Sequence, residues 1–359
     1  MGMLNWYKES DSNQKKTFWA CYAGWALDSY DMQIFSFLLP VIMATWALTQ
    51  TQVGLIGTVA LIVTAIGGWI AGILADRYGR VKILMFTILW FTFFGVLAGF
   101  AQNYEQLLVA RTLQGLGFGG EWAVGAALMA EAVSAKHKNK AVGFVQSGMA
   151  LGWAGSVIVA TVLITMLPPE WSWRVVFWTG VIPALIVIYI RRNVKESVEF
   201  VNDVAKNKEN IEKASFSSIF KKEYLRSTIF ASLLVIGLQA ACYAILIWIP
   251  TLMNERGLSP SSKIVTILIM AAGAFAGFMF TAYLADKWGR KQTLIGMSIL
   301  SWIVTVVYML IAMNQYITLA LGFFVGFSAI GMFAALGPFL TDLFPTRIRI
   351  TGMGFSYNV

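Results

Sequence analysis

The sequence predicts an all-α integral membrane protein built from two related bundles of six helices each. Hydrophobic residues make up 58% of the 359-residue chain and charged residues 13%, about half the charged fraction of a typical soluble domain. Apolar runs of about 20 residues recur from one end to the other, and each can cross the roughly 30 Å hydrocarbon layer of a bilayer. A polar segment between two such runs also occurs twice, 210 residues apart. We therefore expect the lipid bilayer to surround most of the protein.

The apolar runs predict ten complete spans, and their composition favours helices. They are rich in Leu, Ile, Ala, Phe and Met and lack the strict alternation that a membrane β-barrel requires. The spans lie near residues 17–47, 53–75, 83–101, 105–132, 141–166, 172–192, 225–252, 262–285, 292–313 and 316–343. An eleventh begins near residue 350. Several exceed 20 residues, so we expect tilted helices or ends that project from the hydrocarbon.

Basic residues lie in short runs between the spans. Placing the N-terminus in the cytoplasm puts 23 of the 27 Lys and Arg residues on the cytoplasmic side, as the positive-inside rule requires. Membrane orientation therefore explains the formal charge of +9, and we expect no nucleic-acid partner.

Span one carries two acidic residues, Asp28 and Asp31, which are three positions apart and share a helical face. Two carboxylates so close do not both ionise easily. Arg111 in span four is their expected partner, because a guanidinium within a span is costly unless it is paired or faces a wet cavity. A carboxylate that releases the arginine on protonation would act as a proton switch. The alternatives are a fixed salt bridge, or an Arg111 that extends to the outer surface.

The turn between spans two and three contains GILADRYGRVK at 72–82, which recurs as AYLADKWGRK at 282–291. Its glycine permits a tight turn, and its aspartate can accept hydrogen bonds from a helix N-terminus or from the arginine. Two copies in equivalent positions predict a paired structural element; simple orienting charges are the alternative. The residues of this element are Gly72, Asp76, Arg77, Gly79 and Arg80 in the first copy and Asp286, Lys287, Gly289 and Arg290 in the second.

Span four contains RTLQGLGFGGE at 111–121. Gly115 and Gly119 are four residues apart and allow the close approach of another helix. Glu121 is a third intramembrane acid and lies deeper in the span than Arg111. It either belongs to a proton path or pairs with a polar neighbour.

The repeat divides the chain into two units. We predict an N-terminal six-helix bundle over 1–192, a solvated cytoplasmic linker over 193–223, and a C-terminal bundle over 224–359 that stops within span eleven. A faithful repeat of about 200 residues implies twelve spans and roughly forty further residues.

Together these motifs resemble the major facilitator superfamily. The repeated turn is similar to its cytoplasmic loop motif, and segment 111–121 looks like its second motif. The paired aspartates and five further segments resemble bacterial organic-acid:proton symporters of the sialate and lactate branch, with the aromatic-acid:proton symporters next. These segments are GGEWAVGAA (119–127), QSG (146–148), WRVVF (173–177), LFPTR (343–347) and GMGFSYN (352–358). Ser29 and Val81 depart from the pattern, where relatives often carry Gly or Ala and a second basic residue.

This resemblance implies alternating access between two halves, a cavity between them near mid-membrane, and a gate formed by the repeated turn. It points to Asp31 as the acid that takes up the proton, with Asp28 beside it. It also implies a bacterial inner-membrane protein, a monomer without a cofactor, that uses the proton gradient as its energy source.

Polar and aromatic residues on spans five and seven are the candidates for substrate contacts. They are Gln146, Ser147, Gln239, Tyr243 and Trp248. Gln239 and Tyr243 are one turn apart and share a face. Arg111 is the only arginine expected deep enough to neutralise an anion, so it could serve the proton, the substrate or each in turn. Packing or an interfacial position is the alternative for Tyr243 and Trp248.

We expect proton-coupled import of a small organic acid, such as lactate, pyruvate, sialate or an aromatic acid. An uncoupled facilitator or exchanger of a carboxylate, aromatic acid or sugar-like metabolite is the alternative, and a transporter-like receptor a more remote one. An enzyme is not expected, because no serine–histidine pair lies within the spans. One histidine, His137, and two separated cysteines, Cys21 and Cys242, offer neither a metal site nor a disulfide.

Overall fold

The computed structural model describes residues 5–206, 216–255, 259–311 and 315–359. Every regular element within these ranges is helical, which confirms the predicted all-α fold class. The α-helices are α1 (Asn5–Glu9), α2 (Ser12–Trp46), α3 (Gln50–Tyr78), α4 (Arg80–Phe100), α5 (Tyr104–Ala132), α6 (Lys138–Gln146), α7 (Gly148–Met166), α8 (Pro169–Thr179), α9 (Val181–Arg191), α10 (Val198–Lys206), α11 (Lys222–Glu255), α12 (Pro260–Trp288), α13 (Arg290–Leu310), α14 (Gln315–Val325), α15 (Phe333–Thr341) and α16 (Arg349–Asn358). A 3-10 segment, Phe216–Phe220, precedes α11, and a π-helical segment, Gly326–Ile330, follows α14.

The helices follow the ten predicted spans to within a few residues, but three spans consist of two helices each. Span five divides into α6 and α7 at Ser147, span six into α8 and α9 at Gly180, and span ten into α14 and α15 around the π-helical segment. Seven helical segments within the described ranges are long and apolar enough to cross a membrane. The acid-bearing α2 and α5 and the interrupted α8–α9 pair lie outside that set.

Local sequence signals set several helix starts. Asp11 and Gln14 form a reciprocal capping box at the start of α2, and Thr49 and Gln52 form another at the start of α3. Each box satisfies two backbone N–H groups that the first helical turn would otherwise leave unpaired. Asn103 caps α5 through its side chain. The starts of these three long helices are therefore encoded locally.

The repeated turn has the same conformation in both halves. α3 and α12 are each 29 residues long, and α4 and α13, which follow them, are each 21 residues long. The joining residues, Gly79 and Gly289, have φ angles of 109° and 85°, which a residue with a side chain adopts only under strain. The duplicated sequence thus folds into a duplicated helix–turn–helix.

The two halves meet at the end of the bundle that carries Gly79 and Gly289, called here the basic-loop end. There α6 packs against α12 and α15, and α16 packs against α3 and α5. Gly72 on α3 touches the backbone of Ile350 and Thr351, so a side chain at this position would collide with α16. A continuous apolar core crosses from α5 and α6 into α12 and α15. The basic-loop end is therefore closed in this structure.

The linker between the halves is packed in part, in contrast to the solvated segment expected over 193–223. Residues 198–206 form α10, and Ile219 in the 3-10 segment is 0% exposed. Ile219 clusters with Phe344 and Ile348 of the second half. A few large apolar residues are enough to anchor a segment whose average composition is polar. Residues 207–215 of the predicted linker lie outside the described ranges.

Candidate functional site

A line of ionisable side chains runs through the first half. Asp28 and Asp31 lie on the buried face of α2 and are 6% and 8% exposed. One carboxyl oxygen of Asp28, Oδ1, has no hydrogen-bond partner among the residues that the structure describes. Burying a carboxylate without a partner is costly, because neither water nor a protein donor stabilises its charge. Asp28 is therefore an unsatisfied group in the interior of the first half.

Arg111 lies near Asp31, but the direct salt bridge expected from the sequence is not formed. No ion pair within 4 Å joins Arg111 to either aspartate in the described structure. Its guanidinium lies 4.3 Å from the centre of the Phe35 ring, and its Nη1 donates to Gln114 Oε1 at 2.5 Å. The guanidinium therefore contacts an aromatic ring and an amide and makes no direct ion pair with the carboxylate.

Glu121 pairs with Arg191 in this structure, and pairing with a polar neighbour was one of the two alternatives for this acid. Arg191 Nη2 donates to Glu121 Oε1, and Nη1 donates to the carbonyl oxygen of Leu84 at 2.6 Å. Thr87 Oγ1 donates to Glu121 Oε2 at 3.2 Å. The pair is sealed in the interior, since Arg191 is 2% exposed.

Sequence reasoning missed Arg191, which it counted among the orienting charges at the end of span six. The expectation that Arg111 alone is a deeply buried arginine is therefore wrong. Consecutive residues of a helix point in different directions, so of the adjacent Arg191 and Arg192 only one can face solvent readily. Arg192 is exposed and Arg191 is buried. The two adjacent arginines were the available sequence signal that one of them is buried, but the rotation of α9 decides which one faces the interior.

A cavity of about 450 Å³ lies between α2, α3 and α5 of the first half and α11 and α16 of the second. Its charged lining side chain is Asp28, and no Lys or Arg lines it among the described residues. Gln239 and Tyr243, two of the predicted substrate contacts, line the cavity. Arg111, Asp31 and the other candidates of the first half do not. Trp248 lies within α11, but its side chain is outside the described part of the structure.

The floor of the cavity joins the two halves. The ring of Trp122 stacks on that of Tyr357, with centroids 3.7 Å apart and planes 16° from parallel. Gln146 Oε1 accepts from Trp122 Nε1 at 2.9 Å, and its Nε2 donates to the carbonyl oxygen of Phe333 at 3.4 Å. Gln239 Nε2 donates to the carbonyl oxygen of Tyr357 at 2.8 Å. Gln146 therefore links the halves beneath the cavity instead of lining it.

Ser147 also lies away from the cavity lining. Its hydroxyl donates to the carbonyl oxygen of Phe144 at 2.7 Å, at the break between α6 and α7. A hydroxyl that bonds back to its own helix satisfies itself locally. Ser147 thus has a structural position in this conformation.

The first copy of the repeated turn binds the second half. Asp76 accepts from the backbone N–H and the hydroxyl of Thr351, at 2.8 and 2.9 Å, and so caps the start of α16. Arg80, fully buried, donates to Glu131 at 3.2 Å. Glu131 also accepts from Arg349 at 2.8 Å. Charged groups from both halves thus close the basic-loop end.

The second copy binds the first half in the corresponding way. Asp286 pairs with Lys140 at 3.0 Å and accepts from Asn139 Nδ2 at 2.9 Å, both at the start of α6. Arg290 donates to Asn139 Oδ1 at 2.6 Å and pairs with Asp342. Each turn therefore places its aspartate at the first turn of a helix from the opposite half, α16 in one case and α6 in the other.

The remaining basic residues of the two turns face outward. Arg77 and Lys287 are exposed, and their charged groups lie 5.7 and 4.8 Å from the ring centres of Tyr78 and Tyr283. These two residues take no part in the ion pairs described between the halves.

Glu196 in the linker is a further contact that sequence reasoning missed. Its carboxylate accepts from the backbone N–H groups of Arg80 and Val81, at 3.0 and 3.1 Å, and caps the start of α4. Glu199, one turn later, accepts from Arg349 at 2.8 Å. The start of the linker therefore contacts both halves at the basic-loop end.

Comparison with known sequences finds similarity along the whole chain. The family model described as Major Facilitator Superfamily matches residues 22–359. A probable 4-methylmuconolactone transporter of Cupriavidus pinatubonensis (strain JMP 134 / LMG 1197) is 63% identical over 357 residues, covering 99% of this chain and 83% of the relative. A sialic acid transporter of Escherichia coli (strain K12) is 30% identical, with 99% and 85% covered. A cis,cis-muconate transport protein of Acinetobacter baylyi (strain ATCC 33305 / BD413 / ADP1) is 29% identical, with 96% and 84% covered.

Among solved structures, a proton:xylose symporter bound to 6-bromo-6-deoxy-D-glucose has a TM-score of 0.81. The match covers 97% of this chain and 86% of that chain at 18% sequence identity. At this identity the likeness shows a common fold and carries no information about the substrate.

Proposed function

The chain belongs to the Major Facilitator Superfamily, and from this premise we propose that it imports a small organic acid together with a proton. The membership confirms the resemblance seen in the sequence motifs, and the protein is a multi-pass membrane transporter, not an enzyme. Coupling to protons and the substrate class are the proposed parts. An uncoupled facilitator or exchanger is the competing function.

The names of the relatives support an organic acid as substrate. They include transporters of 4-methylmuconolactone, sialic acid, cis,cis-muconate and benzoate. Three of these are carboxylic acids by name, and the first, described for the 63% identical relative, is an unsaturated lactone. We take a small unsaturated or aromatic acid or lactone as the substrate class.

The observation that carries proton coupling is the imbalance of buried charges in the first half. Glu121 is paired with Arg191, and the charge of Arg111 interacts with that of Asp31. Two guanidinium groups thus face two of the three acids, and Asp28 has no cation of its own. Because an unpaired buried carboxylate costs several kcal/mol, uptake of a proton by Asp28 removes the imbalance. The resemblance placed the proton at Asp31; the geometry favours Asp28.

The arrangement of the halves supports alternating access. The cavity lies above a floor of joined side chains, and the basic-loop end is closed by ion pairs between the halves. We propose that this end faces the cytoplasm of a bacterial inner membrane, as the positive-inside rule requires. Breaking these contacts would open the cavity inward. A monomer suffices for this cycle, with the proton gradient as energy source and no cofactor.

Uptake by the protein reconstituted in liposomes tests this function. Labelled 4-methylmuconolactone, cis,cis-muconate and benzoate would be offered with and without an inward proton gradient. We expect the gradient to drive accumulation of at least one of them, and Asp28→Asn to abolish accumulation while leaving exchange across the membrane. Glu105→Gln, which removes an exposed acid at the start of α5, is the matched control.

Two results would contradict the proposal. Uptake that ignores both the gradient and Asp28→Asn would leave an uncoupled facilitator or exchanger. Accumulation of none of these compounds would remove the proposed substrate class.

A further inference from the structure

We propose that the cavity holds the carboxylate of its substrate between the indole N–H of Trp25 and a protonated Asp28, so that the transported proton is shared by two carboxyl groups. This inference rests on the proposed function, since it names how that site recognises an organic acid. It replaces the expectation that an arginine neutralises the substrate.

The first argument is a pair of unsatisfied, buried polar atoms that belong to two residues of the cavity lining. Trp25 Nε1 and Asp28 Oδ1 are both buried, and neither has a hydrogen-bond partner among the described residues. The two residues lie three apart on α2, hence on one face, and both line the cavity. An unpaired buried donor and an unpaired carboxyl oxygen are costly. A ligand carboxylate can accept from both if Asp28 carries a proton.

The second argument is the charge of the cavity. Asp28 is the charged side chain of the wall, and no cation lines it among the described residues. Arg111 lies against Phe35 outside the lining, and Arg191 is committed to Glu121. An anion beside an ionised Asp28 would be repelled strongly in an interior of low dielectric constant. Protonation of Asp28 removes this repulsion and supplies a hydrogen-bond donor, and so lets a carboxylate bind.

The groups near Asp28 among the described residues leave to Asp28 the uptake of the proton that accompanies the substrate. Asp31 on α2, Glu121 on α5 and Arg191 on α9 interact with its charge, and α7, packed along α2, carries no ionisable side chain. Tyr243 on α11 and Tyr357 on α16 face it from the second half. Phenols are neutral at ordinary pH, so they can donate hydrogen bonds but cannot neutralise an anion.

The aromatic residues of the cavity lining indicate which kind of group the substrate carries beside its carboxylate. The rings of Trp25, Phe118, Trp122, Tyr243 and Tyr357 line the same cavity. Such faces pack well on flat, unsaturated groups. The fitting ligand is therefore a monocarboxylic acid with a planar ring or conjugated chain, bound with its carboxyl group toward α2.

The proton balance of this step is simple. Asp28 takes up one proton from the outer solution, and its O–H then donates to the substrate carboxylate. No covalent bond forms or breaks. On release the proton leaves with the acid or is lost from Asp28 to the inner solution. One proton and one carboxylate cross in each cycle, so transport is electroneutral.

Binding measurements on the purified protein test the inference. The probes are 4-methylmuconolactone, which carries a carboxyl group beside its lactone ring, and its carboxamide, which has the same shape without a charge. We expect the affinity for the acid to fall by about tenfold per pH unit once Asp28 ionises, and the affinity for the amide to stay constant. Asp28→Asn should remove the pH dependence for the acid, while Glu105→Gln should keep it.

Trp25→Phe provides a second test, because it keeps a ring and removes the N–H. It should lower the affinity for the acid by about ten- to 100-fold, as expected for a hydrogen bond to a charged group. In liposomes, a negative-inside potential should leave uptake of the acid unchanged.

The outcomes separate this inference from the function on which it rests. Suppose that the wild-type protein accumulates the acid. If binding of the acid keeps its pH dependence in Asp28→Asn, the shared proton is refuted and the symporter stands. The same conclusion follows if Arg111→Gln abolishes binding of the acid while Trp25→Phe leaves it unaffected. Voltage-stimulated uptake would also refute the shared proton. If the wild-type protein accumulates no organic acid, the function itself fails. Retained amide binding shows that each variant is folded.

Discussion

Two buried acids of the first half, Glu121 and Asp28, differ in how their charge is matched. Glu121 and Arg191 form an ion pair, in which Thr87 and the Leu84 carbonyl satisfy further polar atoms, while Arg191 Nε has no partner among the described residues. Asp28, which interacts with the charges of both, lacks such partners. A satisfied pair is inert, whereas an unsatisfied acid responds to a proton or a ligand. The same kind of charge is thus ion-paired at Glu121, whereas at Asp28 it is the basis of the proposed proton coupling.

At this scale we predict that Arg191→Met destabilises the protein by about 3–5 kcal/mol, because it leaves Glu121 buried without its cation. The double variant Arg191→Met/Glu121→Gln should recover much of that loss, since the remaining amide is neutral. The free energy of unfolding, measured for the four combinations in detergent, gives the coupling. Arg192→Met, at the exposed neighbouring position, is the control. Equal effects of Arg191→Met and Arg192→Met would contradict the buried pair.

The helix–turn–helix units α3–α4 and α12–α13 are the elements that the two halves share. Their equal lengths and their glycines of positive φ show that the turn is a conserved geometry within this chain. Each turn directs its aspartate to the start of a helix in the other half, where the N-terminal dipole favours a negative charge. Each turn therefore connects two helices of its own half and also contacts a helix of the other half.

We predict that Gly79→Ala and Gly289→Ala each cost about 1–3 kcal/mol, because alanine is strained at their backbone angles. Gly296→Ala is the matched control. Gly296 lies within α13 with open space where a side chain would extend, and alanine there should be neutral or stabilising by up to about 1 kcal/mol. Thermal unfolding of the three variants distinguishes them. Equal midpoints for all three would mean that the turns can relax.

The whole molecule is held in one conformation by contacts that cross between the halves at the basic-loop end. Glu131 is central to them, because it accepts from Arg80 of the first half and Arg349 of the second. Gln146 and the Trp122–Tyr357 stack add links at the cavity floor. Alternating access requires these links to separate together, so their summed strength sets the population of the closed state.

Glu131→Gln should therefore shift the protein toward the state that is open at the basic-loop end, by about 1–3 kcal/mol or about five- to 150-fold in population. A cysteine replacing the buried Ala282 in a variant without Cys21 and Cys242 would report the shift as faster labelling by a maleimide. Glu170→Gln, at an exposed position remote from these contacts, should leave the labelling rate unchanged. A rate that Glu131→Gln does not alter would show that other contacts dominate closure.

The sequence by itself determined the helical class, the approximate position of ten spans, the repeated turn and the family. These properties depend on local features, such as the length of apolar runs, the capping residues and the glycine in each turn. Hydropathy and backbone preference act over a few residues, so they can be recognised without knowing what lies opposite.

The tertiary structure alone decided how the buried charges are matched. Asp28, Asp31, Arg111 and Glu121 were recognisable as costly intramembrane groups, but their partners depend on how each helix is rotated and how deeply it is set. The rotation of α9 turns Arg191 inward to Glu121, and Arg111 lies over the ring of Phe35 without the expected salt bridge. Packing of helices distant in sequence sets these angles, and no local pattern encodes them.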